Sequence, residues 1–455
     1  MPPEVPAPPI AEAAHGPAAA APPGGPVYRG LARGLAALQR RGWPAALARI
    51  DAGELRGYAL AFDYMLKATA WKHRRGEPSW PAIQARWARA VGDTALRDRL
   101  AGTLHADDRF ELIADGPAGF ERRAALYAGA SRSIDVATYY IQPDETGLAT
   151  IRAWADCVAR GVRVRLLVDR YAMAKKSIEV AGMEALHAAL AQAGVQLREW
   201  HDPERPHDST HRKAIVVDGR TALVGGRNFA DHYRGTAWRD LDLVLEGPSV
   251  APLATSFEAW WSGLHRPLPP ARPWVDHVPA DILTDPVMGF VLAAVGAARE
   301  SVDLELAYFV AHDTLCTALA DAARRGVRVR LLTNSAASND LPYAVWTAYE
   351  GARRLLEAGC EVHLRPGAGR TLHCKYVLVD RRWISFGSHN LDYYSPRFVC
   401  ENNLVVDAPA LAERLSDFFD TGVASAEPLT LAAARQWLAG HRARRLYDLV
   451  FRDFQ

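Results

Sequence analysis

The sequence predicts an α/β protein made of two copies of one domain, preceded by a helical region. Three observations carry this. The octapeptide Arg160-Gly161-Val162-Arg163-Val164-Arg165-Leu166-Leu167 recurs word for word as Arg325-Gly326-Val327-Arg328-Val329-Arg330-Leu331-Leu332. At nearly the same offset, the pattern H-x-K-x-x-x-x-D occurs twice, from His211 and Lys213 to Asp218 and from His373 and Lys375 to Asp380. Flanking segments match as well: Ser133-Ile134-Asp135-Val136 with Ser301-Val302-Asp303-Leu304, and Gly194-Val195-Gln196-Leu197 with Gly359-Cys360-Glu361-Val362. A period this long marks a duplicated domain rather than a solenoid. Each half reads strand, helix, strand, helix, strand, and then paired strands bearing the motif.

With 455 residues, 49% of them apolar, the chain has material for a large core. Residues 1–26 are rich in Ala and Pro and lack both a basic start and an apolar stretch, so they read as a disordered arm and not as a signal peptide. Residues 27–104 show helical periodicity, with Trp43, Trp71, Trp80 and Trp87 spread through them and a basic run at Lys72-His73-Arg74-Arg75 that reads as a solvated face. The first half is expected over 105–265, a Pro-rich linker over 266–286 and the second half over 287–427. A helical tail, 428–455, ends with Arg442, Arg444 and Arg445 beside Leu446, Tyr447, Leu449, Val450 and Phe451, a pattern that suits docking on the core or lying on a membrane.

Charge and cysteine usage exclude several classes. A net charge of +2 argues against a wholesale nucleic-acid coat, though it permits local basic patches. No apolar run approaches the roughly 18 residues that span a bilayer, so any membrane contact is expected at the surface. Cys157, Cys316, Cys360, Cys374 and Cys400 are odd in number and show no C-x-x-C spacing, which fits free thiols in a reducing compartment.

The two motifs carry the chemistry. Mostly β-favouring residues separate the Lys from the Asp, so each segment reads as a buried strand with His and Lys near its mouth. Alternate residues share a face of a strand, so both side chains can address one bound group. A neutral imidazole beside an ammonium suits attack on a phosphate ester. Of 54 basic residues only Lys67, Lys72, Lys175, Lys176, Lys213 and Lys375 are Lys, and two of these fall at matched motif positions, where a compact ammonium is wanted rather than a planar fork. Asp218 and Asp380 complete the motif and are grouped with the catalytic set. At the far ends of their strands, however, they suit fixing loop geometry better than proton transfer.

Beyond each motif lies a small-residue turn ending in Asn, Gly225-Gly226-Arg227-Asn228 and Gly387-Ser388-His389-Asn390. Small residues let backbone approach a ligand, and the amides of Asn228 and Asn390 are candidates for binding phosphate oxygens. Aligning the strands that follow places Asp240 opposite Glu401, and both are expected to orient a histidine. Surface caps or salt-bridge members remain the other reading of that pair. Nothing has a dedicated metal-ligand spacing, so a metal-independent reaction without a cofactor is expected.

Taken together, the twin motifs, the two turns, and the stretch Asn390-Leu391-Asp392-Tyr393-Tyr394-Ser395 with Glu401 resemble the phospholipase D superfamily. Gly225 to Asp231, Trp238-Arg239-Asp240 and Thr333-Asn334-Ser335 are most similar to its bacterial cardiolipin synthase subgroup. The resemblance covers about Phe110 to Phe419. The chain departs from the subgroup at Tyr394, where Arg is usual, and in lacking N-terminal membrane-spanning helices.

This likeness implies two α/β/α sandwich domains about a pseudo-twofold, with one site between them. It implies that His211 attacks phosphorus to form a covalent phosphohistidine, while His373 protonates the departing alcohol and then activates the acceptor. Lys213, Lys375, Asn228 and Asn390 would hold the nonbridging oxygens. The substrate class it implies is an anionic phospholipid such as phosphatidylglycerol, with a lipid alcohol or water as acceptor. The expected location is cytoplasmic, peripheral at the inner membrane. A nucleic-acid phosphodiesterase of the same fold is disfavoured by near-neutral charge and the lack of aromatic and basic interleaving. A non-catalytic membrane scaffold is disfavoured by the complete set of paired residues.

Overall fold

The computed structural model describes residues 67–441 apart from 264–267, 269–270, 311 and 342–343. The chain divides into two compact units, one up to Glu77 and one from Pro78 onward. In the first, residues 67–74 are helical, and Lys72 of the basic run is buried against Glu77 at 3.3 Å instead of facing solvent. The arm expected over 1–26, most of the 27–104 region and residues 442–455 of the tail lie outside the described residues.

The second unit opens with α1 (Trp80–Trp87), α2 (Thr94–Leu100) and β1 (Gly102–Thr103). The first half follows as β2 (Arg109–Ile113), α3 (Gly116–Gly129), β3 (Ser133–Ala137), α4 (Glu145–Ala159), β4 (Arg163–Asp169), α5 (Arg170–Glu179), α6 (Met183–Gln192) and β5 (Gln196–Trp200). It continues through β6 (Ser209–Thr210), β7 (Ala214–Val217), β8 (Thr221–Gly225), α7 (Asp231–Arg234), β9 (Asp242–Glu246) and α8 (Ala251–Trp261). After β10 (Trp274–His277) the plan repeats as α9 (Pro286–Ala297), β11 (Ser301–Leu306), α10 (Asp313–Arg324), β12 (Arg328–Asn334), α11 (Val345–Glu357) and β13 (Glu361–Arg365). The second half then runs through β14 (Lys375–Val379), β15 (Trp383–Gly387), α12 (Ser395–Phe398), β16 (Val399–Asp407) and α13 (Pro409–Ala424), with β17 (Glu427–Pro428) and α14 (Leu431–Gly440) closing it.

One sheet has the order β2-β9-β8-β7-β3-β4-β5; the other runs β1-β16-β15-β14-β11-β12-β13-β17, with β6 and β10 also on β16. The segments β9-β8-β7-β3-β4-β5 and β16-β15-β14-β11-β12-β13 are one topology used twice. In each, the motif strand is central, antiparallel to both neighbours. Its alternation divides two cores. Ala214, Val216, Tyr376 and Leu378 face a core shared by both halves, where α8 and α13 also pack. Ile215 and Val217 point to the first half's own helices, and Val377 and Val379 to the second's. The two sheets are therefore joined face to face through apolar burial, the dominant favourable term in such packing.

The repeated octapeptide has a structural cause. Gly161 and Gly326 sit at φ +85° and +91°, ending α4 and α10, and the next amides, of Val162 and Val327, reach back to Cys157 O and Ala322 O. Only a residue without Cβ takes that left-handed position cheaply. The chain then enters β4 or β12, where Arg165 and Arg330 bond Asp135 (2.7 Å) and Asp303 (2.6 Å) on the adjacent strand. The same guanidiniums reach Glu258 on α8 and Asp420 on α13.

Two expectations need revision. The stretch 266–286 is more than a linker: Trp274 and Val275 are buried, and β10 pairs antiparallel with β16, placing His277 opposite Glu401. The helical N-terminal region is not helical to residue 104, because Gly102 and Thr103 pair in parallel with Val406 and Asp407. Ahead of them, Ile83 and Trp87 pack into the second half's core, and Trp87 Nε1 donates to Ile282 O at 3.2 Å. At the other end, the described part of the tail docks on α11, with Trp437 stacked on Tyr349 at 4.0 Å.

Candidate active site

Each motif histidine is delivered by backbone pairing into the opposite half. Strand β6 runs parallel to the start of β16, and His211 N donates to Cys400 O at 2.9 Å. Reciprocally, Arg239 N donates to Thr371 O at 2.8 Å and His373 N to Arg239 O at 2.7 Å. Cys400 precedes Glu401 and Arg239 precedes Asp240, so these pairings bring each carboxylate to the other half's histidine. His211 Nδ1 lies 3.2 Å from both Glu401 oxygens and from Ser388 O. His373 Nδ1 lies 2.9 Å from Asp240 Oδ2. Since these partners accept, both Nδ1 atoms carry hydrogen and each Nε2 is left as the free lone pair. Sequence reasoning expected the carboxylates as partners but not the crossing.

The glycine turn makes room for one of these contacts. A Cβ on Gly226 would stand 2.4 Å from both Asp240 oxygens, a distance no side chain allows. The small residue therefore admits the carboxylate that orients His373, a role distinct from the ligand approach expected of it.

Both lysines are drawn inward to the backbone of their own motif, Lys213 Nζ to His211 O (2.8 Å) and Lys375 Nζ to His373 O (2.7 Å). Tyr139 and Tyr308 lie beside them, each ring 5.8 Å from the ammonium. Most of these groups are buried, His211 and Tyr139 only in part, and the electrostatics follow. Burial, with Lys213 adding to it, pulls the His211 imidazole down to about 4. Burial followed by Lys375 and Lys213 holds His373 well below its usual range. Burial also lowers both lysines. Glu401 is pushed up by burial, but His211, His389 and Lys213 outweigh this and hold it at about 2. Asp240 is raised by burial, which Arg227 and Lys375 offset only in part. The site is thus a buried cluster of two imidazoles and two amines whose charged forms burial disfavours and the carboxylates of Glu401 and Asp240 favour.

Two sets of expected site residues sit elsewhere or act differently. Asp218 and Asp380 stand at the far ends of their strands, which advance about 3.3 Å per residue, and neither meets a histidine. Asp218 accepts from the amides of Ser131, Arg132 and Ser133 at 2.7–2.9 Å. Asp380 accepts from Arg299, Glu300 and Ser301. They cap the entries to β3 and β11 and are not brought to the histidines. Asn228 is also committed internally: Oδ1 accepts from Thr138 Oγ1 (3.1 Å) and Tyr139 N (3.2 Å), and Nδ2 donates to Tyr233 OH (2.7 Å). Its matched residue Asn390 differs. Its Oδ1, an acceptor, is buried without a partner.

A family model described as "Cardiolipin synthase, PLD-like domain" matches residues 125–261 and again 291–422, one match per half. The chain belongs to this phospholipase D-like family. It is 28% identical to cardiolipin synthase A of Pseudomonas fluorescens Pf-5 over 390 residues, covering 80% of this chain and 78% of that protein. It is 30% identical to cardiolipin synthase A of Pseudomonas putida W619 over 352 residues, covering 71% and 70%. Among solved structures, phosphatidylserine synthase of Haemophilus influenzae Rd KW20 superposes with a TM-score of 0.62 at 15% identity, over 81% of this chain and all of that one. That likeness shows the shared fold. Among the described residues no helix is long and apolar enough to cross a membrane.

Within this phospholipase D-like frame, sequence reasoning missed the aromatic wall. Tyr139 lies edge-on to His211 at 5.1 Å. Tyr233, Trp238 and Tyr308 surround His373 at 5.4, 5.6 and 6.3 Å. A signal was present: Tyr139 and Tyr308 lie two residues past the ends of strands β3 and β11, where open α/β sheets place ligand contacts.

Proposed function

We propose that this enzyme transfers the phosphatidyl group of an anionic phospholipid through a covalent phosphohistidine, with a lipid alcohol as acceptor and water as the competing one. The observation that carries this is the crossed pair His211–Glu401 and His373–Asp240 around two buried lysines. Two ammoniums balance two carboxylates, so a bound phosphodiester monoanion is matched by one protonated histidine. That leaves one imidazole neutral and one acidic, the two states the reaction needs.

In this reading His211 Nε2 attacks phosphorus, an N–P bond forms and the P–O bond to the departing alcohol breaks. His373 gives that oxygen its proton. The neutral His373 then takes a proton from the acceptor hydroxyl, whose oxygen displaces His211 from phosphorus. His211 suits the nucleophile because its side chain is the more exposed, 13% against 5% for His373, and because ionised Glu401 stabilises the positive charge that phosphorylation creates. Lys213 and Lys375 would turn from backbone carbonyls to the nonbridging oxygens, with Asn390 beside them.

The test is incubation with phosphatidylglycerol vesicles in EDTA, followed by mass spectrometry. Glycerol release with cardiolipin supports transfer, and phosphatidic acid alone supports hydrolysis. If neither lipid product forms, the lipid reading fails.

A further inference from the structure

The mouth of the site is asymmetric. After β4 the chain enters α5, whereas the matching position after β12 leads into a loop of small and acidic residues, Ser335 to Asp340. Asp169 fastens α5 to the motif: Oδ1 accepts from Ala172 N at 2.7 Å and Oδ2 from Thr210 N, beside His211, at 2.8 Å. This helix carries Lys175 and Lys176, two of the few lysines in the chain. Both pair with one carboxylate, Glu179, at 3.5 and 3.0 Å, so one positive charge is left over.

Lys176 also sits against the aromatic residues next to the site. Lys176 Nζ lies 4.7 Å over the Tyr140 ring. Tyr140 OH meets Tyr233 OH at 3.3 Å and His232 Nε2 at 3.4 Å. Tyr233 in turn borders His373. Burial first, and then the charge of Lys176, lower the His232 imidazole. Lys175 acts electrostatically on Asp340 across the mouth, and Asp340 accepts from Tyr308 OH at 3.1 Å. Ile178 on the same helix has 53% of its surface in solvent, an apolar group on a basic lip.

We infer that Lys176, with Lys175 and His232 beside it, forms a subsite for a second phosphate: that of the acceptor phospholipid whose free hydroxyl is presented to His373. The inference rests on the lipid-transfer reading above. A point-charge ammonium suits a phosphate, Tyr140 and Tyr233 link it to His373, and Ile178 stands exposed on the same helix for the acyl side. The phosphate could belong to a lipid headgroup or to a soluble ester; Ile178 favours the lipid.

Competition within one tube tests this. The full chain is given phosphatidylglycerol in mixed micelles with ethanol, and the ratio of cardiolipin to phosphatidylethanol is measured. Both products share one donor, so the ratio is insensitive to the fraction of folded enzyme. Lys176→Gln is expected to lower the ratio at least tenfold, and Lys176→Arg to keep it within about threefold of wild type. An unmoved ratio in Lys176→Gln overturns the subsite while lipid transfer stands. Wild-type enzyme that turns over phosphatidylglycerol but forms no cardiolipin overturns the subsite and leaves the phosphodiester chemistry standing. No turnover of any lipid overturns the parent reading together with this one. Glycerol 3-phosphate as the acceptor separates the sources: the lipid is expected to be used at least tenfold better, and equal use assigns the subsite to soluble phosphates and overturns the lipid assignment.

Discussion

The two histidines occupy equivalent places in one repeated topology, yet their surroundings differ. His211 shares its Nδ1 hydrogen between Glu401 and Ser388 O, with one tyrosine alongside. His373 makes a single shorter bond to Asp240 and is enclosed by Tyr233, Trp238 and Tyr308. The layer behind them diverges further. In the first half Arg227 supports the turn, donating to Ala114 O and Asp240 O and pairing with Asp242 at 3.1 Å. In the second half the matched His389 bonds Asp285 at 3.1 Å, with His277 near the same carboxylate. Duplication supplies the frame, and the layer behind the two imidazoles is not duplicated with it.

The largest expected effect breaks the pair outright. His211→Ala and His373→Ala should each lower turnover by at least about 10³-fold, and combining them should cost little more, since both act in one site. Additive losses, read from initial rates on phosphatidylglycerol, would mean that the halves work independently.

Next come the two asparagines. Asn390→Ala is expected to reduce kcat by about 10²-fold through loss of an oxyanion donor, with stability little changed. Asn228→Ala is expected to cost about 1–3 kcal/mol of stability, because Tyr139 N and Tyr233 OH lose a buried partner. Paired kinetics and denaturant melts read both, and equal behaviour of the two variants would erase the distinction.

The histidine environments also predict a pH dependence. Both imidazoles are lowered on folding, His211 to about 4 from an unfolded value near 6.5, so the unfolded chain takes up protons first. The stability they contribute is complete above about pH 6.5 and falls as pH drops toward 4. Thermal melts should show this slope, and His211→Gln should flatten it. The smallest expected effect belongs to the strand ends: Asp218→Ala and Asp380→Ala should lower stability by about 1–3 kcal/mol through lost loop bonds. Their kcat/KM should stay within about threefold.

Much of this was legible in the residues. The repeat alone gave the duplicated α/β plan, because each helix ends at a left-handed glycine and each second strand needs its buried arginine, as in Gly161 and Arg165. The motif spacing located both histidines and both lysines. The crossing of Asp240 and Glu401 was not legible, because it depends on β6 joining the other half's sheet, a contact between segments far apart in sequence. Nor was the divergence of Asn228 from Asn390, which turns on Tyr233, where the repeat offset places Ser395. The strand β10 hid within a Pro-rich stretch that reads as coil.

The central claim is one site with divided labour, and trapping its intermediate tests it most directly. Wild-type enzyme, mixed with phosphatidylglycerol and quenched within one turnover, should carry a phosphatidyl adduct that mass spectrometry locates on His211, while His211→Ala should give none. An adduct on His373 in the His211→Ala enzyme, or none on His211 at any time point in enzyme that still releases glycerol, would contradict the account.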